Sequence, residues 1–304
     1  MPADIASTHD FNGDGYSDID IAWRQSGGAT AMWLMSGAQV LQSGDLGTVP
    51  TNWQIVGQRD FDGDGKYDLL WRDSDSNTMA IWLMNGLQVS QSGSLGVVPS
   101  NWIVVGTGDF NGDGKGDILW RDSNTGSVAI WLLNGFQILQ TGSVSTVPNT
   151  WTIVGTGDFD GDGKTDILWR DNEGNLGVWL MNGLQVKQSG MLGQVASTWL
   201  IAGTGDFNGD GYADICWQDT SGNVAVWLMN GLEIMQPGGF GMVPISWSVA
   251  LTGDFDGDGK SDVLWRDTTL GSTAIWFMNG VTISQSASLG VVTTDWTIQS
   301  LNAE

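Results

Sequence analysis

The 304-residue sequence has few of the residue types on which catalytic and disulfide-stabilised proteins depend. It contains one cysteine, Cys216, and one histidine, His9. A single cysteine excludes an intrachain disulfide framework, and a single histidine leaves serine-based catalytic triads little to work with. No stretch approaches the roughly 18 apolar residues that a membrane-spanning helix needs. The sequence therefore predicts neither a disulfide scaffold nor insertion into a membrane.

Basic residues are also scarce. Eleven lysines and arginines stand against 34 acidic residues, which gives a formal net charge of −23. This balance argues against nucleic acid or an anionic membrane surface as a partner and makes metal cations the natural counter-charge. The first residues, "MPADIASTHDF", show neither a basic segment nor an apolar one, so no signal peptide is visible in this chain.

Glycine and tryptophan, in contrast, are abundant, with 45 and 18 copies. Acidic loops begin at Asp10, Asp60, Asp109, Asp158, Asp206 and Asp254, so the chain repeats every 48 to 50 residues. Every tryptophan belongs to one of three positions in the repeat. The first set follows the loop (Trp23, Trp71, Trp120, Trp169, Trp217, Trp265), the second lies mid-repeat (Trp33, Trp82, Trp131, Trp179, Trp227, Trp276), and the third precedes the next loop (Trp53, Trp102, Trp151, Trp199, Trp247, Trp296).

Each repeat contains short apolar runs separated by turn residues, a pattern typical of four short antiparallel strands. In the repeat around residues 166–182, "DILWRD" is followed by the turn "NEGN" and by a second apolar run that ends in Asn-Gly, a two-residue hairpin signal. No helical periodicity is present. Because one such sheet cannot bury both of its faces, we predict an all-β, six-bladed β-propeller, with an open solenoid as the alternative. The predicted single domain spans 1–304, with repeats at approximately 3–52, 53–101, 102–150, 151–198, 199–246 and 247–295.

The two ends of the chain predict how the ring closes. Ala3 stands where the other repeats have the third tryptophan, and the tail at 296–304 restarts that strand with Trp296 in place. We therefore expect the N- and C-terminal strands to overlap and close the first blade. The same overlap would also fit a segment cut from a longer array.

The acidic loops follow the pattern Asp-x-Asp/Asn-x-Asp-Gly-x-x-Asp. Positions 1, 3, 5 and 9 offer carboxylate or amide oxygens, position 7 can offer a backbone carbonyl, and glycine at position 6 permits a sharp turn. Calcium takes six to eight hard oxygens in a flexible shell, magnesium is smaller and strictly octahedral, and zinc prefers nitrogen and sulfur. We predict about six Ca²⁺ per chain, which would reduce the net charge to about −11.

The predicted ligands form six sets, with Tyr and Lys contributing backbone carbonyls. They are Asp10, Asn12, Asp14, Tyr16 and Asp18; Asp60, Asp62, Asp64, Lys66 and Asp68; Asp109, Asn111, Asp113, Lys115 and Asp117; Asp158, Asp160, Asp162, Lys164 and Asp166; Asp206, Asn208, Asp210, Tyr212 and Asp214; and Asp254, Asp256, Asp258, Lys260 and Asp262. Two alternatives are half of an EF-hand loop, which lacks its glutamate and flanking helices here, and acidic turns that hold no ion.

At these loops the chain resembles a known family. "DFNGDGYSD", "DFDGDGKYD" and "DFNGDGKGD", several of them preceded by "IVGTG" and followed by "ILWRD", resemble the FG-GAP/VCBS-type repeats of the integrin α-subunit propeller. The resemblance covers nearly the whole chain and implies a calcium-loaded β-propeller. Integrin propellers usually have seven blades, whereas this chain has six repeats. Bacterial relatives are typically exported, and some propellers of this loop type are lectins.

The remaining candidate residues favour structural roles. Cys216 replaces a leucine found in four other repeats and is expected in the core, while His9 stands where other repeats have Arg59 or glycine. Asp20 lies in a two-residue insertion peculiar to the first repeat. The arginine after the first tryptophan predicts inter-strand or inter-blade pairs (Arg24, Arg72, Arg121, Arg170 and Arg266, with Gln218 in the fifth repeat). The tryptophans are expected to pack between blades, with sugar recognition as the alternative.

Together these features predict a secreted or cell-surface calcium-binding propeller of bacterial origin that acts as a binding or adhesion module and has no catalytic residues. Its partners would be calcium and a protein or glycan ligand, not nucleic acid. A multivalent carbohydrate-binding lectin is the first alternative, and a polysaccharide hydrolase or lyase is a more distant one.

Overall fold

In the computed structural model, which describes residues 10–13 and 19–299, the chain is all-β. Twenty-four strands form six four-stranded antiparallel sheets, and the described residues contain no helix. The sheets are the six blades of a β-propeller, as predicted. The predicted fold class and blade number are both confirmed.

The strands of each blade follow one another in the chain, except in blade one. Blade one contains β1 (Ile21–Gln25), β2 (Ala29–Ser36), β3 (Gln39–Thr48) and β24 (Trp296–Ile298). Blade two contains β4 (Trp53–Arg59), β5 (Asp68–Asp73), β6 (Thr78–Asn85) and β7 (Gln88–Val97). Blade three contains β8 (Trp102–Gly108), β9 (Asp117–Asp122), β10 (Ser127–Asn134) and β11 (Gln137–Thr146).

The other three blades repeat the same lengths. Blade four contains β12 (Trp151–Gly157), β13 (Asp166–Asp171), β14 (Asn175–Asn182) and β15 (Gln185–Gln194). Blade five contains β16 (Trp199–Gly205), β17 (Asp214–Asp219), β18 (Asn223–Asn230) and β19 (Glu233–Met242). Blade six contains β20 (Trp247–Gly253), β21 (Asp262–Asp267), β22 (Ser272–Asn279) and β23 (Thr282–Val291).

In blades two to six the first strand lies innermost, where equivalent strands of neighbouring blades contact each other. A Cβ on Gly57 would lie 2.5 Å from Cγ2 of Thr107, so this strand needs glycine for its close approach to the next blade. The threonine hydroxyls donate across the same contacts, for example from Thr204 Oγ1 to the carbonyl of Thr156 at 2.7 Å. The small, Gly-rich sequence of this strand is therefore explained by crowding around the central axis.

The ring closes through the C-terminal strand. β24 pairs with β1, with Trp296 opposite Gln25 and Ile298 opposite Trp23. The side-chain amide of Gln58, on the innermost strand of blade two, donates to the carbonyl of Gln299 at 2.5 Å. Trp296 thus completes the first blade, as the sequence predicts, whereas Ala3 lies outside the described residues.

Blades pack face to face through apolar clusters. The cluster between blades one and two joins Met32 and Leu34 of one blade to Ile55 and Leu69 of the next. All six tryptophans of the first set are at most 2% exposed, which confirms their packing role. Each ring lies 4.8 to 5.0 Å from the second-set tryptophan of its own blade.

The recurring arginines join neighbouring blades. Arg24 donates to the carbonyls of Val49 and Pro50 at 3.1 Å and of Trp53 at 2.8 Å, and its guanidinium lies 5.0 Å from the ring of Trp71 in blade two. Equivalent contacts are made by Arg72, Arg121, Arg170 and Arg266. The prediction of inter-blade pairs is confirmed, although the acceptors are carbonyls and tryptophan rings.

Candidate functional site

In blades two to six the acidic loop connects the innermost strand to the second strand. In loop two, Asp60 follows β4 and Asp68 is the first residue of β5, so both ends of the loop are fixed by the sheet. Gly63 and Gly65 have φ values of +82° and +84°, which favour glycine and allow the backbone to turn back on itself. The loop therefore gathers its side chains around a single point.

The position-9 aspartate is at most 1% exposed in loops two to six. Asp68 is 1% exposed and accepts hydrogen bonds from the backbone N–H groups of Phe61 and Met84, both at 2.9 Å. Equivalent bonds are made by Asp117, Asp166, Asp214 and Asp262. Burial raises the pKa of these five carboxyl groups to about 8, although the two N–H donors oppose the shift.

The position-1 aspartate organises the loop backbone. Asp60 accepts from the N–H of Gly63 at 2.7 Å through Oδ1 and from the N–H of Gly65 at 2.8 Å through Oδ2. Burial raises the pKa of Asp60, and in loop four it raises the pKa of Asp158 to about 6. Neighbouring loop carboxylates raise both further, because negative charges lie close together.

Positions 1, 3 and 9 converge in three loops. Ligand oxygens of each group lie within 4.8 Å of one another in Asp60, Asp62 and Asp68, in Asp158, Asp160 and Asp166, and in Asp254, Asp256 and Asp262. In loops three and five, position 3 is an asparagine whose amide donates to the position-5 carboxylate, from Asn111 to Asp113 at 3.1 Å and from Asn208 to Asp210 at 2.8 Å.

The position-5 carboxylate forms an ion pair in loops two, four and six. It binds the position-7 ammonium of the same loop, from Lys66 to Asp64 at 3.0 Å, from Lys164 to Asp162 at 3.2 Å and from Lys260 to Asp258 at 2.7 Å. The role of position 5 as an ion ligand stays a prediction. The carbonyl ligands assigned to position 7 stay a prediction.

Loop one differs from the expected alignment. Asp10 and Asn12 are described, while Asp14, Tyr16 and Asp18 lie outside the described residues, as does His9. The place of position 9 belongs to Asp20, which is 1% exposed and accepts from the N–H groups of Phe11 at 2.8 Å and Met35 at 2.9 Å. Asp20 therefore makes the contacts that the position-9 aspartate makes in the other loops. Counting back three residues from Trp23, as from Trp71 to Asp68, would have found it in the sequence.

Neighbouring loops are joined on one face of the propeller. The N–H of Gly116 in loop three donates to the carbonyl of Asp60 at 2.6 Å, and the N–H of Thr165 donates to the carbonyl of Asp109 at 2.8 Å. The loops also contact the hairpin turn of the next blade, since Gly135 N–H donates to the carbonyl of Phe61 at 2.6 Å. The acidic loops thus form a connected chain across the blade boundaries.

The donor chemistry of these loops fits calcium. In loops two, four and six every side chain of the converging group offers a carboxylate oxygen. In loop four, Oδ1 of Asp160 is buried and lacks a hydrogen-bond partner, which leaves this oxygen available to an ion. The aspartates at positions 1, 3, 5 and 9 would hold the ion, as would the asparagines at position 3.

A separate apolar cavity of about 290 Å³ lies beside blade four. It is lined by all three tryptophans of the blade, Trp151, Trp169 and Trp179, together with Gly177, Met191 and Val147 among others. Trp151 and Trp179 are partly exposed, whereas Trp169 is 2% exposed. Cys216 is fully buried, burial raises the pKa of its thiol to about 12, and it belongs to the core as predicted.

The cavity coincides with two residues peculiar to this blade. Gly177 stands where the other blades have alanine (Ala31, Ala80, Ala129, Ala225 and Ala274). Met191, opposite Gly177 in the sheet, stands where three blades have serine (Ser94, Ser143 and Ser288). Sequence reasoning missed this difference, although the alignment of repeats contains it.

Comparison with known proteins identifies the repeat. A family model described as the FG-GAP-like repeat matches residues 60–120, 109–169, 158–217 and 206–265. A search of curated protein sequences finds no match. The described part of the chain contains no helix long and apolar enough to cross a membrane.

Solved structures similar to the chain are propellers or complexes of low sequence identity. A chain of the nidogen/laminin complex has a TM-score of 0.58 at 12% identity, and the match covers 92% of this chain and 96% of that one. The β-propeller domain of Cps50 (Swd1) from Myceliophteria thermophila has a TM-score of 0.48 at 12% identity, over 92% of this chain and 85% of that one. At such identity the likeness concerns the fold alone.

The four family matches overlap and together span residues 60–265, more than half of the chain, and each runs from one acidic loop to the strand after the next loop. The chain therefore belongs to the FG-GAP-like repeat family and is a six-bladed propeller of that type.

Proposed function

We propose that the protein is an extracytoplasmic, calcium-binding propeller that acts as a binding or adhesion module and not as an enzyme. The FG-GAP-type fold itself indicates a binding or adhesion-type module. The observation that carries the calcium proposal is the convergence of three aspartates, two of them fixed by backbone N–H donors, in loops two, four and six.

Calcium binding would explain a cluster of carboxylates whose mutual repulsion and burial are otherwise unfavourable. Carboxylates within 4.8 Å of one another repel, and burial of the position-9 group removes the water that would screen the charge. A divalent cation with oxygen ligands and variable geometry offsets both costs, whereas magnesium requires a stricter octahedral shell. Extracellular calcium modules work at millimolar concentrations, which fits a secreted or cell-surface protein of bacterial origin.

Thermal unfolding tests the calcium proposal. An ion that binds only the folded state stabilises it by RT ln(1 + [L]/Kd), about 2.7 kcal/mol per site at a hundredfold excess over Kd. We expect the melting temperature to fall strongly in EGTA, to recover with calcium and to recover poorly with magnesium. An unchanged melting curve after verified metal removal would contradict the proposal.

A second candidate function, carbohydrate binding, is favoured by the cavity of blade four. Its partly exposed Trp151 and Trp179 offer aromatic surface to the apolar face of a pyranose, and the hydroxyl of Ser189 lines the same cavity. The six repeats present related tryptophan surfaces around the ring, so a lectin of this form would bind a polyvalent target several times.

The cavity can be altered with residues that other blades already use. The variant Gly177→Ala/Met191→Ser gives blade four the same pair as blades two, three and six, so we expect it to fold normally. A glycan panel read by tryptophan fluorescence at constant calcium should show binding that this variant weakens and that Ala129→Gly in blade three leaves intact. No glycan signal with the unaltered protein would remove the lectin candidate and leave a protein partner.

A further inference from the structure

Loop four contacts a second lysine, Lys187, in addition to the lysine at position 7. Lys187, on β15, places Nζ 2.8 Å from Oδ2 of Asp160 and 2.9 Å from Oδ2 of Asp162. The equivalent position, five residues after the start of each hairpin turn, is uncharged in the other five blades (Leu41, Ser90, Leu139, Met235 and Ser284). Lys187 is therefore an exception within an otherwise regular array.

Lys187 holds two of the side chains assigned to the ion. Asp162 is bound by Lys187 and also by Lys164 at 3.2 Å, so two ammonium groups draw this carboxylate. Asp160 uses Oδ2 for Lys187, while its Oδ1 is buried without a hydrogen-bond partner. The same residue belongs to the group formed with Asp158 and Asp166. Lys187 thus binds at the edge of the proposed ion site and leaves Oδ1 of Asp160 without a hydrogen-bond donor.

We propose that Lys187 is a tethered cation that competes with calcium for loop four and makes this loop a weaker calcium site than loops two and six. The inference rests on the proposed function, because it requires that the loops bind calcium. It assigns to one residue a difference in affinity among three loops that share the same donor set, with aspartate at positions 1, 3, 5 and 9.

Two physical effects lower the affinity. Calcium affinity depends on the net charge of the ligands, and Lys187 neutralises part of that charge before the ion arrives. The ammonium also repels a divalent ion only a few ångströms away, and Asp162 must leave both lysines before it can bind the ion. A reduction of roughly tenfold or more in affinity follows from a unit charge at such a distance.

The same contact gives loop four support when calcium is absent. Lys187 bridges positions 3 and 5, so the ammonium offsets repulsion between Asp160 and Asp162. Loop four also contacts the next loop through the carbonyl of Asp158, which accepts from the N–H of Ala213 at 2.7 Å. The tether therefore keeps one member of the loop chain ordered at low calcium.

Loop two provides a matched control. It has aspartate at positions 1, 3, 5 and 9 and lysine at position 7, the same donor set as loop four, and its hairpin carries Ser90 in place of Lys187. The variant Lys187→Met uses the residue of blade five, and Ser90→Lys transfers the tether to loop two. Both positions are exposed, so neither change disturbs the core.

The test is calorimetric titration of metal-free protein with calcium. We expect Lys187→Met to tighten one calcium site and Ser90→Lys to weaken one calcium site relative to the unaltered chain, whereas the charge-conserving Lys187→Arg should leave the isotherm unchanged. We also expect Lys187→Met to melt at a lower temperature than the unaltered chain without calcium and at an equal or higher temperature with it.

The failure of this proposal is distinct from failure of the calcium proposal. If the unaltered chain binds no calcium, the proposed function is wrong and the present inference falls with it. If it binds calcium and the three variants give identical isotherms, or if Lys187→Met binds more weakly, Lys187 does not compete with the ion and the inference alone is overturned.

Discussion

At the scale of single residues, the position-9 aspartates determine how the metal-free protein responds to pH. Their carboxyl pKa values are raised from an ordinary 3.8 to about 8 by burial. Between these pH values the folded state retains protons that the unfolded state has released, so the free energy of unfolding decreases as pH rises. Calcium reverses the preference, because it requires the ionised carboxylates.

We therefore expect metal-free protein in chelator-treated buffer to melt at a higher temperature at pH 5.5 than at pH 8. With saturating calcium the difference should shrink or change sign. Calorimetric scans across this range check both statements. A metal-free melting temperature that rises with pH over the same interval would show that the buried aspartates are stabilised as carboxylates by their N–H donors.

The seam between blades five and six lacks an arginine. Gln218 makes one bond of the usual set, from Nε2 to the carbonyl of Trp247 at 2.8 Å, and a cavity of about 310 Å³ adjoins it. Arg170 in the preceding blade instead binds the carbonyls of Val195 and Ala196, as well as that of Trp199, and lies 5.8 Å from the ring of Trp217.

Gln218→Arg should restore the missing contacts and stabilise the fold by about 1 kcal/mol, from hydrogen bonds to carbonyls and a cation–π contact with Trp265. Chemical denaturation at constant calcium measures the change. Arg170→Gln is the matched control and should destabilise by a similar amount. If Gln218→Arg is neutral or destabilising while Arg170→Gln is destabilising, the cavity cannot accommodate the guanidinium.

At the scale of elements, positions 5 and 9 of one loop have separable roles. Asp162 is partly exposed and is bound by lysines, so its contribution to metal-free stability is that of a surface ion pair, at most about 1 kcal/mol. Asp166 is fully buried and joins the loop to β14 through the N–H of Met181 at 2.7 Å. The Asp166 carboxylate therefore accepts a hydrogen bond from the sheet and also belongs to the proposed ion site.

Asp162→Ala should lose one calcium ion and change the metal-free melting temperature little. Asp166→Asn should lose the same ion and also destabilise the metal-free protein by about 1–3 kcal/mol, since the amide group faces an N–H donor. Elemental analysis and melting in EGTA separate the two effects. Equal ion content in Asp162→Ala and the unaltered chain would remove position 5 from the ligands.

The loops also show how far repeat patterns carry a prediction. Spacing alone identified the aspartates at positions 1, 3 and 9 that converge in loops two, four and six, because a regular array places equivalent residues in equivalent positions. It did not predict the ion pair between Asp64 and Lys66, because that contact depends on side-chain conformation. It also failed for Asp20, where the insertion lies inside the loop and moves the aspartate that the strand needs.

At the scale of the whole molecule, six equal repeats and one displaced strand define the ring. The repeated turn residues and the tryptophan sets predicted the blade number, and Trp296 predicted the closing strand. The contacts that join the loops across blades were not predictable, since they depend on how adjacent blades are oriented. Because these contacts link every described loop to a neighbour, we expect the loss of one proposed ion to destabilise the neighbouring blade as well.

The number of calcium ions bound per folded chain tests the central claim most directly. After equilibrium dialysis at millimolar calcium and brief removal of free ion, elemental analysis should find about six ions per chain, or five if the weakest site empties during handling. The same measurement with magnesium should find far fewer. Fewer than one calcium ion per folded chain would contradict the account, and the acidic loops would then be turns that hold no metal.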